Sequence, residues 1–462
     1  MSAAGDASLG GLASTSSRGA GIGWTLAATS FGFVVVQLDV TIVNVAMPQI
    51  GVDLGAGTTG LQWIVDAYTL AFAALLLTAG SFADRFGSRR IFSAGLVLFG
   101  MASLACALAP SIGVLIAARA AQGFGAALIL PTSLSLLSHA CAGDVAARTR
   151  AIGWWSAIGG VVSAAGPVLG GALTTGLGWR SIFFVNLPIC VLGLWAVRRY
   201  VAETLRTAGG RLDAGGQLLA IVALFFLTHA IIEGGVRGWT DWMVLSGFAV
   251  AALAIAAFVR HEARVSAPMI PLGLFHSPSF SAAIVLGVLM NITFYGSIFV
   301  LSLYFQHARG YTPTETGFAL LPFTVIMLAN LASGRLAKRF SPRTPVIAGF
   351  VLSALGFALL HGVDASTPYL RILPSLLLLA IGAGIGTPAL TSLVLGSVPP
   401  SLSATASAIF GAARQVGSAI GVALFGALML GLPAQVAAGA VFAFDLSAFL
   451  RLVGAVIAVL FL

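Results

Sequence analysis

The sequence predicts an all-α integral membrane protein with fourteen transmembrane helices, arranged as two six-helix halves and a central two-helix insertion. Hydrophobic residues make up 59% of the 462 residues and charged residues only 8%, against about 45–50% and 25% in soluble domains. The apolar segments are mostly close to 20 residues long without strict alternation, which favours membrane-spanning helices over a β-barrel. A basic loop also occurs twice, 254 residues apart, at Gly80 and Gly334.

The apolar segments follow one another along the whole chain. They lie near 24–50, 60–80, 91–109, 112–138, 150–174, 181–200, 215–234, 241–259, 280–305, 315–334, 344–362, 371–396, 403–430 and 447–462. The last segment is short for a complete crossing. The first 23 residues, rich in Ala, Gly and Ser, lack the features of a secretory signal.

These segments predict six regions. They are a disordered cytoplasmic tail (1–23), an N-terminal six-helix bundle (24–200), a cytoplasmic linker (201–214), an inserted transmembrane hairpin (215–259), a second linker (260–279) and a C-terminal six-helix bundle (280–462).

The repeated loop indicates that the two bundles are related. Gly80–Arg89 and Gly334–Arg343 share glycine, alanine, arginine and phenylalanine at identical offsets. A spacing of 254 residues exceeds what six spans need, and the hairpin at 215–259 accounts for the excess. Internal repeats of this kind are typical of secondary transporters, whose substrate site lies between the repeats.

The basic residues predict the orientation in the membrane. Most of the 23 Lys and Arg residues fall in loops on one side of the predicted spans. Cytoplasmic loops carry this excess, so both termini are expected to be cytoplasmic. The outer side holds only Arg180, Arg237, Arg309, Arg371 and Arg451. Because the net charge of +9 follows this pattern, it predicts no nucleic-acid partner.

Asp39, Asp66 and Arg119 are the ionisable residues deepest in the predicted membrane. From the helical rise they lie roughly 22, 21 and 18 Å above the inner edge of the apolar core. Such groups are costly in lipid and face partners or water. We expect Asp39 to bind and release a proton and Arg119 to modulate it, with Asp66 as a weaker candidate. The alternative is a fixed ion pair that only orients helices.

The polar residues of the first span predict an interior helix. Gln37, Thr41 and Asn44 share one face, and Asp39 points nearly opposite. One face is expected to line a substrate cavity and the other to meet a neighbouring helix. Further candidates for the cavity are Tyr68, Gln122, Trp154, Asn291, Phe294, Tyr295 and Gln415. For the aromatic residues, core or lipid packing is the competing interpretation.

Two glycine-containing segments are candidates for conformational control. The fifth span contains Gly166, Pro167, Gly170 and Gly171, whose small residues favour close helix contact and whose proline favours a kink. Static packing is the alternative to a gating role there.

The first copy of the repeated loop is the second such segment, with Gly80, Asp84, Arg85, Gly87 and Arg89. Its arginines fit a topological anchor. Asp84 fits a contact with a helix N-terminus of the other half, which would latch the inner side.

Taken together, these motifs resemble the major facilitator superfamily, and specifically its fourteen-span drug:proton antiporters. The segments that carry the resemblance are Leu38–Pro48, Gly80–Arg90, Arg119–Gly123, Gly159–Gly171, Trp179–Pro188 and Arg414–Gly417. Met47 and Ser88 replace commoner residues of the pattern. Lys338 stands where Asp84 stands in the first loop copy, which argues against a symmetrical second latch.

The resemblance implies proton-coupled export of lipophilic drugs or antibiotics, including cationic ones, across the bacterial plasma membrane. The proton gradient would supply the energy without a cofactor. The expected partners are the substrate, protons and the lipid bilayer, and the transporter is expected to act as a monomer.

Three alternatives remain at the level of sequence. The chain could export one endogenous metabolite or antibiotic, or act as an uptake permease, although its spans hold few charged groups for a polar solute. A membrane enzyme is disfavoured, because the six histidines are scattered without metal-ligand spacing and no phosphate-binding Gly-Lys-Thr/Ser loop occurs.

Overall fold

The computed structural model describes residues 6–141, 144–204, 213–265, 268–399, 402–429 and 433–462. Every regular element in these residues is helical, which confirms the all-α part of the predicted fold class. The N-terminal half contains α1 (Asp6–Leu54), α2 (Thr58–Phe86), α3 (Ser88–Ala107), α4 (Ile112–Ala140), α5 (Val145–Leu177), α6 (Ser181–Phe184) and α7 (Asn186–Tyr200).

The hairpin and the C-terminal half complete the chain. They contain α8 (Ala214–Arg237), α9 (Trp242–Glu262), α10 (Pro278–Leu303), α11 (Pro313–Ala319), α12 (Ile326–Arg339), α13 (Thr344–Ala358), α14 (Tyr369–Gly396), α15 (Ser403–Ala427) and α16 (Pro433–Phe461). Short 3₁₀ or π turns at 272–276, 304–308 and 321–325 join some of them.

Twelve helices of the described chain are long and apolar enough to cross a membrane, two fewer than the predicted fourteen segments. The shorter apolar helix α13 matches a further predicted segment. The segment predicted at 315–334 is divided into α11, a 3₁₀ turn and α12. Pro322 lies in that turn, and a proline removes a backbone donor from a helix.

The two ends of the chain differ from the sequence predictions. Helix α1 already begins at Asp6, within the region predicted to be a disordered tail over 1–23. Extending a formed helix costs far less than nucleating one. At the other end, α16 begins at Pro433 and is 29 residues long, so the short final segment predicted from residue 447 is wrong. Polar residues in the first half of this helix interrupt the apolar pattern, so the sequence predicts only its second half as a span.

The apolar core shows how the two halves meet. We define the outer end of the bundle by the loops at 55–57 and 178–180, and the inner end by Gly80–Arg90. At the outer end, residues of both halves form one continuous hydrophobic cluster, in which Val43 and Phe299 are both fully buried. Towards the inner end the halves have separate clusters. The halves are therefore joined more closely at the outer end.

The hairpin lies against both halves. Helix α8 packs on α2 and on α15, and α9 packs on α8. Gln217 of α8 donates through Nε2 to the carbonyl oxygen of Ala74 at 2.8 Å. Further along α8, Ile231 and Ile232 cluster with Ala423 of α15. Helix α8 thus covers the line where α2 and α15 meet.

Close helix contacts depend on glycine at specific positions. A Cβ atom on Gly123 of α4 would lie 2.2 Å from the carbonyl oxygen of Tyr68 on α2. A Cβ atom on Gly113, also on α4, would meet nothing within 4 Å. The two positions allow a matched comparison on one helix.

We expect Gly123→Ala to lower the melting temperature of the purified protein in detergent, because a backbone oxygen cannot yield to the methyl group. The overlap should cost about 1–3 kcal/mol. Gly113→Ala should leave the melting temperature unchanged or raise it slightly, since alanine is the better helix former. Equal melting temperatures for the two variants would contradict this account of the α2–α4 contact.

Candidate functional site

The centre of the N-terminal half holds a buried ion pair. Asp39 of α1 and Arg119 of α4 are 0% and 1% exposed, and Arg119 Nη1 donates to Asp39 Oδ2. Arg119 Nε also donates to the carbonyl oxygen of Ile64 at 3.0 Å. One guanidinium therefore connects α1, α2 and α4, as the planar donor set of arginine allows.

Gln122 extends this pair into a network. Its Oε1 accepts from Arg119 Nη1 at 2.7 Å, and its Nε2 donates to Asp39 Oδ1 at 2.8 Å. Nε2 also donates to Ser103 Oγ at 2.8 Å. From α7, Asn186 Nδ2 donates to Asp39 Oδ1 at 3.2 Å. A proton arriving at Asp39 must therefore rearrange these donors, because a protonated carboxyl group itself becomes a donor.

Sequence reasoning found part of this network. Asp39 and Arg119 were predicted together, whereas Gln122 was assigned to the cavity and Ser103 and Asn186 were missed. Gln122 lies three residues after Arg119, on the same helical face, and this spacing was the available signal. Asn186 lies in Trp179–Pro188, a segment of the family pattern.

Tyr68 packs against the ion pair from α2. The guanidinium carbon of Arg119 lies 4.4 Å from the centroid of the Tyr68 ring, within the range of a cation–π contact. Tyr68 is 1% exposed. It therefore shields the pair instead of lining an open cavity.

Asp66 does not join the ion pair, although the sequence placed it in the same layer. It is fully buried, and neither carboxylate oxygen has a hydrogen-bond partner among the described residues. One turn away, Gln62 Nε2 donates to the carbonyl oxygen of Ala423 at 2.7 Å. Because residues four apart share a helical face, Asp66 faces α15, in the other half.

The C-terminal half has its own buried charge. The sequence predicts Arg451 on the outer side, and this prediction is wrong, because Arg451 lies within α16 and is 2% exposed. Its Nε donates to Thr293 Oγ1 at 2.7 Å and its Nη2 to the carbonyl oxygen of Met290 at 3.1 Å. Thr293 follows Asp39 by 254 residues, the offset of the repeated loop. The halves therefore carry different polar groups at this repeat position.

The predicted cavity residues divide into two groups. Thr41, Asn44 and Asn291 are buried and bond to carbonyl oxygens of their own helices. The cavity face predicted for α1 is thus largely covered. Tyr68 and Gln122 are also buried, as described above, and the other candidates are partly or largely exposed, with Trp154 of α5 66% exposed. These are Gln37, Trp154, Phe294, Tyr295 and Gln415.

The glycines of α5 make close contacts with α1. A Cβ atom on Gly166 would lie 1.9 Å from Thr41 Oγ1, and one on Gly170 would lie 2.7 Å from the carbonyl oxygen of Ile42. Pro167 lies between them, inside the helix. This stretch therefore packs α5 directly on the helix that carries Asp39.

The same stretch joins α5 to the other half at the outer end. A Cβ atom on Gly171 would lie 2.4 Å from the carbonyl oxygen of Pro313, and one on Gly317 of α11 would lie 2.5 Å from that of Pro167. Thr314 Oγ1 donates to the carbonyl oxygen of Gly171 at 3.0 Å. We call this α5–α11 contact the outer seam.

The segment Gly80–Arg90, which the sequence predicts as a loop, comprises the end of α2, Gly87 and the start of α3, and it bonds within its own half. The backbone N–H of Arg89 donates to Glu203 Oε1 at 2.9 Å and its Nη1 to the carbonyl oxygen of Val201 at 3.1 Å. Gly87 has a φ of +95° and faces the Glu203 carboxylate. Arg85 is exposed. The side chain of Asp84 lies outside the described part of the structure, and Glu203 was missed by sequence reasoning.

The family model that describes the Major Facilitator Superfamily matches residues 29–422. The chain belongs to this superfamily. The match includes the Asp39–Arg119 network, both helices of the outer seam and the inserted hairpin.

Curated members of the superfamily are similar over most of their length. The methylenomycin A resistance protein of Streptomyces coelicolor is 42% identical over 408 residues, which cover 88% of this chain and 86% of that protein. The multidrug resistance protein Stp of Mycobacterium tuberculosis is 39% identical over 406 residues, covering 88% and 75%. The tetracenomycin C resistance and export protein of Streptomyces glaucescens is 35% identical over 412 residues, covering 88% and 75%.

Solved structures of superfamily transporters share the fold. The human organic anion transporter MFSD10 aligns with a TM-score of 0.64 at 17% identity, covering 95% of this chain and 99% of its own. A peptide transporter aligns with a TM-score of 0.69 at 16% identity, covering 94% of each chain. At these identities the likeness concerns the fold alone.

We expect Arg119→Lys to reduce transport by about 10-fold or more although the positive charge is kept. Lysine lacks the planar donor fork that reaches Asp39, Gln122 and the Ile64 carbonyl at once. Transport would be measured as substrate movement into inverted membrane vesicles. Arg371→Lys, at an exposed arginine of α14, is the control and should transport normally. Wild-type rates for both variants would show that charge alone is sufficient at residue 119.

Proposed function

We propose that the chain is a proton-coupled antiporter that exports lipophilic drugs or antibiotics from the bacterial cell. The buried Asp39–Arg119 pair carries this proposal, because an ionisable pair deep in a transporter bundle is costly unless it has a function. The resistance and efflux names of relatives at 35–42% identity support the export of such compounds.

In this mechanism Asp39 carries the proton and Arg119 modulates its affinity. Protonation neutralises Asp39 and weakens its contacts with Arg119, Gln122 and Asn186 across α1, α4 and α7. Loss of the proton restores them. A two-state network of this kind links the charge on one carboxylate to the packing of three helices.

The outer seam fits the closed gate of an alternating-access cycle. The halves share one apolar cluster at the outer end and have separate clusters towards the inner end. To release a substrate outside, Gly171 must separate from Pro313 and Gly317 from Pro167. Both contacts bring the helix backbones so close together that we expect two separate states, in contact or apart, instead of a gradual sliding of one helix along the other.

We assign the chain to the fourteen-span drug:proton antiporters. Besides the twelve long helices, α13 and the interrupted stretch from α11 to α12 would supply the two remaining crossings. The distribution of arginines favours cytoplasmic termini, and the similarity to bacterial resistance proteins favours a plasma-membrane location. The proton gradient would drive transport without a cofactor, in a monomeric protein. In this assignment Asp66 is a second proton-binding candidate.

A narrower exporter is the second candidate. The relative that is 42% identical is named for resistance to one antibiotic, methylenomycin A, whereas another is named for multidrug resistance. Comparing several chemically unrelated substrates in the same vesicles separates the two. Uptake by intact cells down a substrate gradient would instead favour a permease.

Asp39→Asn should abolish movement that depends on a pH gradient, since asparagine cannot exchange a proton at this position. We would follow neutral, acidic and cationic fluorescent lipophilic probes in inverted vesicles under an imposed pH gradient. Asp39→Glu retains a carboxyl group and should keep part of the activity.

Folding must be monitored in this experiment, because removal of one partner of a buried ion pair is itself destabilising by about 3–5 kcal/mol. Asp445→Asn is the matched control, since Asp445 lies at the surface beside His361. Full gradient-driven transport by folded Asp39→Asn protein would refute the role of Asp39.

Gly171→Ala should open the outer seam. The added methyl group would meet the Pro313 carbonyl, and an overlap worth about 1–3 kcal/mol shifts a two-state equilibrium roughly 5- to 150-fold. A cysteine replacing Gln306, which donates to the Val45 carbonyl across the halves, should then react faster with an impermeant maleimide from outside. Gly176→Ala, on the same helix with open space around it, should leave the labelling rate unchanged. An unchanged labelling rate in Gly171→Ala would show that the outer seam does not control access from outside.

A further inference from the structure

The interior of the C-terminal half carries positive charge without a compensating carboxylate. Arg414 of α15 and Arg451 of α16 both lie within membrane-spanning helices. Neither takes part in any of the ion pairs found in the described chain. In the N-terminal half, by contrast, Arg119 is neutralised by Asp39. The two halves therefore present different electrostatic surroundings to a substrate between them.

Of the two arginines, Arg414 is the one with free donors. Arg451 is held by Thr293 and by the Met290 carbonyl, and its guanidinium carbon lies 5.2 Å from the centroid of the Phe350 ring. Arg414 forms no hydrogen bond within the described residues, and its buried Nε atom lacks an acceptor. An unpaired charged donor inside a membrane protein is costly unless water or a ligand reaches it.

The direction of Arg414 follows from two glycines on the same helix. A Cβ atom on Gly411 would lie 3.1 Å from Leu76 of α2, and one on Gly417 would lie 2.5 Å from the Val288 carbonyl of α10. Residues three apart are separated by about 60° around a helix. Arg414 therefore projects between α2 and α10, at the boundary of the two halves.

Asp66 is not the missing partner, because neither of its carboxylate oxygens has a hydrogen-bond or ion-pair partner among the described residues. Helices α2 and α15 run antiparallel, with Gln62 beside Ala423 and Leu76 beside Gly411. On this register Asp66 and Arg414 are displaced by about 8–10 Å along the helix axes. The part of the chain that the structure describes thus leaves the Arg414 guanidinium available to a ligand.

The surroundings of Arg414 indicate what it would bind. Its guanidinium carbon lies 5.8 Å from the centroid of the Phe410 ring. Phe294 of α10 is partly exposed beside Tyr295. One free guanidinium with an aromatic ring and the apolar Leu76 nearby matches a single negative charge on an apolar molecule, and arginine binds carboxylates through two parallel hydrogen bonds.

We propose that Arg414 binds the carboxylate of an exported lipophilic organic acid. This inference rests on the proposed export function and names the substrate class, in contrast to the cationic compounds considered from the sequence. The carboxylate would form an ion pair with Arg414, which has no carboxylate partner in the described chain. Arg414 is then the residue that distinguishes acids from neutral or cationic compounds of the same shape.

Equilibrium dialysis of the purified protein in detergent tests this assignment without any gradient. The probes are pyrenebutyrate, pyrenebutanol and pyrenebutylamine, which share an apolar ring system and differ in the terminal group. Wild-type protein should bind the acid about 10- to 100-fold more tightly than the alcohol, as expected of a hydrogen-bonded charge pair. Arg414→Gln should lose this preference and bind the alcohol as before, and Arg414→Lys should keep part of it. Arg371→Gln, at an exposed arginine, should behave as wild type.

The outcomes separate the site from the transport mechanism. Wild-type protein that binds the acid no better than the alcohol, or not at all, would overturn the proposal. An equal loss for all three probes in Arg414→Gln would also overturn it, because it would show a structural role. Acid-selective binding without gradient-driven movement in vesicles would leave the Arg414 site standing and refute proton-coupled export.

Discussion

The ion pair between Asp39 and Arg119 is the interaction on which the N-terminal half depends. Both groups are withdrawn from solvent, so each requires the other, and breaking a buried pair is costly. Gln122 and Asn186 donate to the carboxylate of Asp39, and Ser103 accepts from both of them. This network around one carboxylate joins α1, α3, α4 and α7. A change in the protonation of Asp39 therefore alters hydrogen bonds that connect all four helices.

Close approach of helix backbones is the second constraint, and it explains the many glycines. Without a strong hydrophobic force between helices in lipid, packing depends on small residues that let backbones meet. Gly166 and Gly170 bring α5 onto α1, while Gly171 brings it onto α11. One short glycine stretch therefore connects the helix of the proton-binding candidate with the outer seam. Movement at either place must be accommodated at the other.

The two halves share a fold but differ in charge. Thr293 stands where the repeat would place the counterpart of Asp39, and an arginine from α16 bonds to it. This difference in charge fits different functions for the two halves. The N-terminal half holds the proposed proton site, and the C-terminal half holds the arginine that we propose as the ligand-binding group. The hairpin, packed on both α2 and α15, lies beside the boundary where these functions meet.

The sequence by itself determined the helical membrane fold, the related halves and the Asp39–Arg119 candidates, because hydrophobic length, loop repeats and rare intramembrane charges are local signals. Tertiary structure decided that Gln122 and Asn186 complete the site, that Asp66 faces α15, and that Arg451 is buried. It also placed Arg414 between the halves. These facts depend on which helices are neighbours and how far each is rotated about its axis, and contacts between residues 80 or more positions apart leave no periodic trace in a single sequence.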